Sequence, residues 1–366
     1  MSCDFIALAN QGVQKLSPYQ TGKPIDELKR ELGLNDIIKL ASNENPLGCS
    51  PLAIAAIQAE LKQVSLYPDG NGFNLKQAIQ QKFGFELNCI TLGNGSNDIL
   101  ELVARAYIAQ GESAVYSQHA FAVYPLAVQA VGGVGIEVSA KNFGHDLEAM
   151  AAAIQSNTKV VFIANPNNPT GTWFERHEFE QFMAQVPAHV LVVLDEAYVE
   201  YVTDVGFING FDYVKQYANL IVSRTFSKAY GLASLRVGYA IAAADVTNIL
   251  NRVRQPFNVN SFALAAATAA LQDESFVQQS RELNSAGMAQ LEQGLNSLAL
   301  GFIPSKGNFI AFDTGRPCVP VFQALLQQGV IVRPIANYGL PNYLRVSIGL
   351  ESENARFLAA LAQVLR

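Results

Sequence analysis

Charge is scarce in this sequence. Only 15% of its 366 residues are Asp, Glu, Lys or Arg, and the acidic ones outnumber the basic by 31 to 25. With a net charge of −6 there is no basic surface to gather nucleic acid or an anionic bilayer, so an anionic ligand must be met by a few local arginines. Cysteine is scarcer still. Cys3, Cys49, Cys89 and Cys318 stand far apart with no CxxC pair, as expected of a chain in a reducing cytoplasm. His119, His145, His177 and His189 show no metal-ligand spacing, so no metal is expected, and no GxSxG elbow occurs. No apolar run approaches the ~20 residues that span a bilayer. The opening MSCDFIALANQGVQKL lacks the basic start and apolar stretch of a secretory signal. Internal repeats and low-complexity linkers are also missing. A soluble, cytoplasmic protein with small-molecule ligands is the expectation, with neither nucleic acid nor membrane as partner.

Apolar residues are plentiful, at 50%, enough for one large domain and a smaller one. The runs CITLG, SAVYS, KVVFIAN, HVLVVLDEA and NLIVSRTFS recur between helical patterns. Strands buried on both faces read as such continuous runs, and helices between them supply parallel crossovers. The fold class is therefore α/β, a mostly parallel central sheet flanked by helices. In such sheets ligands collect beyond the carboxyl ends of the strands. Gly93 to Asn97, Asn165 to Gly171, Asp195 to Tyr198 and Ser223 to Lys228 close these runs and should converge there. Beyond Pro256 strands and helices no longer simply alternate, which indicates a smaller α+β domain. The expected division is an amino-terminal arm or part of the small domain over 1–45, a large domain over 46–256 and a small domain over 257–366.

The stretch SRTFSKAYGLASLRVG, Ser223 to Gly238, carries the strongest chemical signal. A lysine after a strand is ordinarily a surface residue. Lys228 instead sits among small and hydroxylated residues, with Arg236 eight positions on. Ser223, Thr225 and Ser227 can hydrogen-bond a phosphate, and an amine that condenses with an aldehyde needs burial and neighbouring cations to lower its pKa. Asp195 ends an apolar run; it reads as a helix cap or as a carboxylate for a protonated ring nitrogen. LGNGSNDIL, residues 92–100, fails the dinucleotide fingerprint because Asp98 stands at its last glycine position. What survives is a helix N-terminus near Gly95, Ser96 and Asn97, suited to a phosphate.

Together NPNNPTG (165–171), DEAY (195–198), Lys228 followed by Arg236, and LRVSIG (344–349) resemble the fold-type I, pyridoxal-phosphate-dependent aminotransferases in order and spacing. That resemblance covers nearly the whole chain. It implies that Lys228 takes up the cofactor's aldehyde and moves the substrate's Cα proton, while Asp195 keeps the ring nitrogen protonated. It also implies that Asn168 and Tyr198 meet the phenolic oxygen and that Phe121 stacks on the ring. Gly95, Ser96, Asn97, Thr225, Ser227 and Arg236 would surround the phosphate. Tyr67 would reach the cofactor of the partner subunit, making a homodimer with shared sites.

Within the superfamily, KLSPYQTGKPIDELKRELGLNDIIKLASNENPLGCSP and LYPDGNGFNLKQAI are most similar to the histidinol-phosphate aminotransferases. This implies amino transfer between L-histidinol phosphate and 2-oxoglutarate, with glutamate as product. Arg345 would grip the substrate's phosphate, with Arg333, Tyr19 and Asn45 as further substrate-site residues. Three other readings stand: an aromatic amino-acid aminotransferase, a threonine-phosphate decarboxylase, and a cofactor-binding regulator without turnover. Against the last, every catalytic position is present and no DNA-binding domain is expected.

Overall fold

The computed structural model describes residues 3–19 and 21–366. Its strands, in chain order, are β1 (Ile38–Lys39), β2 (Ile90–Gly93), β3 (Ser113–Ser117), β4 (Val134–Val138), β5 (Thr158–Ala164), β6 (Leu191–Asp195) and β7 (Leu220–Thr225). There follow β8 (Gly238–Ile241), β9 (Phe302–Ile303), β10 (Phe309–Asp313), β11 (Val330–Ile331), β12 (Arg333–Pro334) and β13 (Tyr343–Ser347). Seven of them form one sheet in the order β2-β8-β7-β6-β5-β3-β4. Its pairings are parallel from β7 through β4, and only β8 runs against its neighbours.

The apolar runs are continuous because successive side chains enter different cores. Val161, Ile163, Val192, Leu194 and Val222 join the cluster on one face. Val160, Phe162, Leu191, Val193 and Ile221 join the cluster on the other. All ten are under 9% exposed, so the apolar stretch of each strand leaves no face turned to water. Two strands lacked a clear sequence signal. β4 lies at the sheet edge with its side chains half-buried to exposed, and β8 is a four-residue antiparallel insert.

A second sheet, β12-β13-β10-β9, is antiparallel. It packs Ile310, Phe312, Leu344 and Val346 under the helices Glu274–Ser297 and Glu351–Val364, through Leu291, Leu295, Phe357 and Leu361. The amino-terminal β1 pairs in parallel with β11, and Leu28 and Ala41 pack on Leu326 and Ile331. The sequence left open where this first segment sits; residues 25–41 lie against the carboxyl-terminal unit, while Gln11–Gln14 packs on the helix Val123–Ala130 of the large sheet. The alanine-rich helix Ser261–Ala270 buries Ala263, Ala266, Ala267 and Ala270 in the core of the large sheet. A boundary after residue 256 therefore falls ahead of a helix that belongs to the large core. Among the described residues no helix is long and apolar enough to cross a membrane.

Candidate active site

The four strand ends singled out by the sequence meet at one place. A cavity of about 310 Å³ is lined by Ser96 and Asn97 after β2, Asn168 after β5, Asp195 and Tyr198 from β6, and Thr225, Ser227 and Lys228 after β7. The strands are parallel and in register (Ala164 faces Asp195, which faces Ser223), so their polar ends share one edge. Tyr19, Phe121, Arg236, Arg333 and Arg345 also line the cavity.

Lys228 presents an amine of weakened basicity. Its Nζ donates to Ser42 O at 3.1 Å and lies 5.7 Å from the Tyr198 ring centroid. Burial is the main cause that brings its pKa from 10.5 down to about 7, reinforced by Arg345, Arg236 and Lys39 and opposed by Glu44. At neutral pH a large share of Lys228 is therefore the free base, the form that attacks an aldehyde or takes a carbon-bound proton.

Asp195 is 5% exposed, and burial pushes its carboxyl up from 3.8 to about 7; Glu196 adds to the rise. The Tyr124 hydroxyl, which donates to Oδ2 at 3.1 Å, and the Lys228 cation pull the other way. Its Oδ1 is buried without a partner. A buried carboxylate oxygen left in that state is costly unless a ligand supplies a donor.

At the other end of the cavity lies an anion cradle. The helix Ser96–Tyr107 starts after Gly95, which offers no side-chain cap and has a φ of +82°. A Cβ there would stand 2.5 Å from Arg236 Nη2, so the guanidinium approaches the turn only because the residue is glycine. The first-turn Asp98 carboxylate is turned back onto Asn94 N and Asn258 Nδ2, leaving the first helical N–H groups open. Arg236 itself adopts a left-handed backbone (φ +58°) and reaches Ser227 Oγ and Ala233 O. Non-glycine residues are held in that region at an energetic cost, one commonly met at ligand sites.

Two arginines face the cavity from the small unit. Arg333 and Arg345 are directly opposite one another in the β12–β13 ladder. Like charges so placed repel. Arg345 Nη1 donates to Asn168 Oδ1 and Nη2 to Ala41 O at 2.7 Å, while its Nε is buried without a partner. Because Asn168 Oδ1 is taken, the NH₂ end of its side chain is the one left for a ligand. Arg333 stands over the Tyr19 ring, 5.9 Å from its centroid.

One residue expected beside the arginines lies elsewhere. Asn45 is not in the cavity wall; its Nδ2 donates to Ala229 O at 2.9 Å and Ser280 Oγ at 2.8 Å, which ties the segment to the long helix. Asn43, two residues earlier, lines the cavity instead and donates from Nδ2 to the Tyr198 hydroxyl at 2.9 Å. Its backbone is left-handed (φ +56°), a conformation Asn tolerates, so SNEN carried a signal for a turn but not for which Asn faces inward. Tyr67 is 83% exposed and stacks on Phe257 at 4.7 Å, outside the cavity of its own chain. Tyr124 was missed altogether, since as a tyrosine within an apolar helix it reads as core.

An amine of lowered basicity, facing a carboxylate with an open oxygen and an anion cradle, defines an enzyme class that works through a lysine–carbonyl linkage. Over residues 35–361 the chain matches the model of the aminotransferase class I and II family, and it belongs to that family. It is 64% identical to histidinol-phosphate aminotransferase 2 of Pseudomonas aeruginosa over 99% of both chains. It is 63% identical to the protein of that name from Pseudomonas fluorescens over 100% of this chain and 99% of the other. The structure superposes on a histidinol-phosphate aminotransferase from Sinorhizobium meliloti, solved in complex with pyridoxal-5'-phosphate. The TM-score is 0.90 at 28% identity, covering 97% and 96% of the two chains.

Proposed function

We propose that this chain is a histidinol-phosphate aminotransferase, exchanging the amino group of L-histidinol phosphate with 2-oxoglutarate to give glutamate. The observation that carries this reading is the opposed pair Arg333 and Arg345 in the same cavity as Lys228. Two guanidinium groups gathered beside one amine suit a substrate that brings a doubly charged phosphate rather than a bare aromatic side chain.

The residues present fit pyridoxal phosphate. The unpartnered Asp195 Oδ1 suits a protonated ring nitrogen, the Gly95–Ser96 turn with Arg236 and Ser227 suits a phosphate, and Asn168 Nδ2 and Tyr198 Oη suit a phenolic oxygen. When bound, this cofactor supplies an aldehyde for amines and a ring that withdraws electrons from the carbon bearing the amino group. With that group in place, Lys228 Nζ would hold its aldehyde and, as a neutral amine, would accept the proton from the substrate's Cα. Asp195 would favour positive charge on the ring nitrogen. Asn43 keeps the Tyr198 oxygen supplied with a donor, so the Tyr198 proton points to the cofactor. Arg345 and Arg333 hold the substrate phosphate and thereby orient Cα toward Lys228.

One experiment tests the substrate. Single-turnover spectra of the loaded enzyme are recorded with histidinol phosphate, phenylalanine and threonine phosphate side by side. Histidinol phosphate is expected to discharge the cofactor fastest. A preference for phenylalanine would replace this reading with an aromatic aminotransferase, and release of carbon dioxide from threonine phosphate would replace it with a decarboxylase.

The reading extends to a cytoplasmic homodimer with composite sites. Leu52, Leu61, Val64, Leu66, Tyr67 and Phe257 are all more than 40% exposed, and the Tyr67 and Phe257 rings stack on each other. Tyr67, outside its own cavity, serves the phosphate cradle of the partner subunit. Take Tyr67→Ala and Lys228→Ala, each impaired as a homodimer. In a mixed dimer one site receives both lesions and the other none, so co-refolding should restore about a quarter of wild-type activity. No gain despite proven subunit exchange would remove Tyr67 from the partner's site.

A further inference from the structure

Asp195 is held by a residue that touches neither face of the cavity. Tyr124 is fully buried in the short helix Val123–Ala130. Its ring stacks on Phe162 (centroids 5.1 Å, planes 11° apart) and meets Phe121 edge-on at 6.0 Å. Its hydroxyl donates to Asp195 Oδ2 at 3.1 Å. Burial and the neighbouring Asp195 raise the Tyr124 pKa well above 10, so the group is a proton donor at every working pH. One carboxylate oxygen is thus occupied, and the other, Oδ1, has no partner among the described residues.

This arrangement does two things to Asp195. Fixing Oδ2 fixes the rotation of the carboxyl group, so that Oδ1 is the oxygen left for a ligand. Donating to the carboxyl also favours its ionised form, against the burial and the adjacent Glu196 that favour the neutral acid. A neutral Asp195 would sit opposite a ring nitrogen as the donor, with the proton on the carboxyl rather than on the ring.

We propose that Tyr124 is a positioning residue which, through its hydrogen bond to Asp195, keeps the shared proton on the cofactor's ring nitrogen. The inference rests on the pairing of Asp195 with that nitrogen. The aromatic packing of Tyr124 against Phe162 and Phe121 does not involve its hydroxyl, so the two contributions separate cleanly in Tyr124→Phe.

The test uses the loaded dimer, reconstituted with pyridoxal phosphate carrying ¹⁵N in the ring, and reads the nitrogen chemical shift against pH. In Tyr124→Phe the resonance should move toward the unprotonated position. The maximal turnover should fall about tenfold, one unit of proton affinity being a factor of ten in population, with KM for histidinol phosphate unmoved. Incorporating 3-fluorotyrosine, a more acidic phenol, at position 124 should move the resonance the other way; this variant also keeps the test intact if Tyr124→Phe folds poorly. A wild-type resonance in both variants overturns the inference. Asp195→Asn is the control for its foundation. If Asp195→Asn leaves the resonance unchanged, the pairing of Asp195 with the ring fails and the role of Tyr124 fails with it. If Asp195→Asn moves it while neither Tyr124 variant does, Tyr124 serves packing alone.

Discussion

Replacing Lys228 by alanine is expected to lower amino transfer by at least about a thousandfold, because in the proposed reaction one side chain is both the nucleophile and the base. Borohydride, which fixes an aldehyde–lysine linkage, should no longer attach the cofactor to the chain. The fold should survive, since the change removes a cation held in a largely buried position at a cost in desolvation. The pH dependence of the unsubstituted protein sharpens the test. Only the neutral amine condenses, and Lys228 loses its proton near pH 7 rather than at 10.5. The rate at which cofactor-free protein captures the aldehyde should therefore rise through about pH 7 and then level off. A rate that climbs tenfold per unit up to pH 9 would mean that the amine is an ordinary lysine. Normal turnover in Lys228→Ala would remove the residue from the chemistry.

The second large effect is expected at Arg345. Arg345→Leu strands a bound oxyanion in a buried corner, a loss of about 3 kcal/mol or more in kcat/KM for histidinol phosphate, roughly a hundredfold. The same substitution reaches the lysine. Arg345 is the second largest cause of the lowered basicity of Lys228, after burial, so its removal should move the capture profile to higher pH. Asn168 Oδ1 also loses its donor, and a weaker grip on the cofactor should follow. Phenylalanine, which brings no phosphate, should suffer less than histidinol phosphate. Unchanged kcat/KM for histidinol phosphate would take Arg345 out of the substrate site, whatever happens to the pH profile.

Legibility followed distance along the chain. β5, β6 and β7 were readable because both faces of each strand are buried, so the pattern is an uninterrupted apolar run ending in the polar residues of the site. The edge strand β4, with its exposed and half-buried side chains, has no such run. Lys228, Asp195, Asn168 and Arg236 were legible for a related reason. Lys228, Asp195 and Asn168 stand at, or at set offsets past, parallel strand ends that share one edge, and Arg236 precedes the antiparallel β8, whose amino end lies at that same edge.

Tertiary structure alone decided which side chains meet across long separations. The Tyr124 hydroxyl finds Asp195 across 71 positions, Arg345 finds Asn168 across 177, and Asn43 rather than Asn45 reaches Tyr198 across 155. A residue's type and spacing constrain only its own element, to which face it turns and where the element ends. Partners on different elements are chosen by how the sheet, the helices above it and the amino-terminal segment pack, and by which buried donor is left to satisfy which buried acceptor. By itself the sequence determined a parallel sheet and a lysine at its carboxyl edge, while Arg333 and Arg345 came only with the family resemblance and their pairing only with the fold. The settings of those groups came from packing: a lysine made less basic by burial beside Arg345, and an aspartate with one oxygen tied and one open. A proton affinity is a property of the surroundings, and the surroundings exist only once the chain has folded.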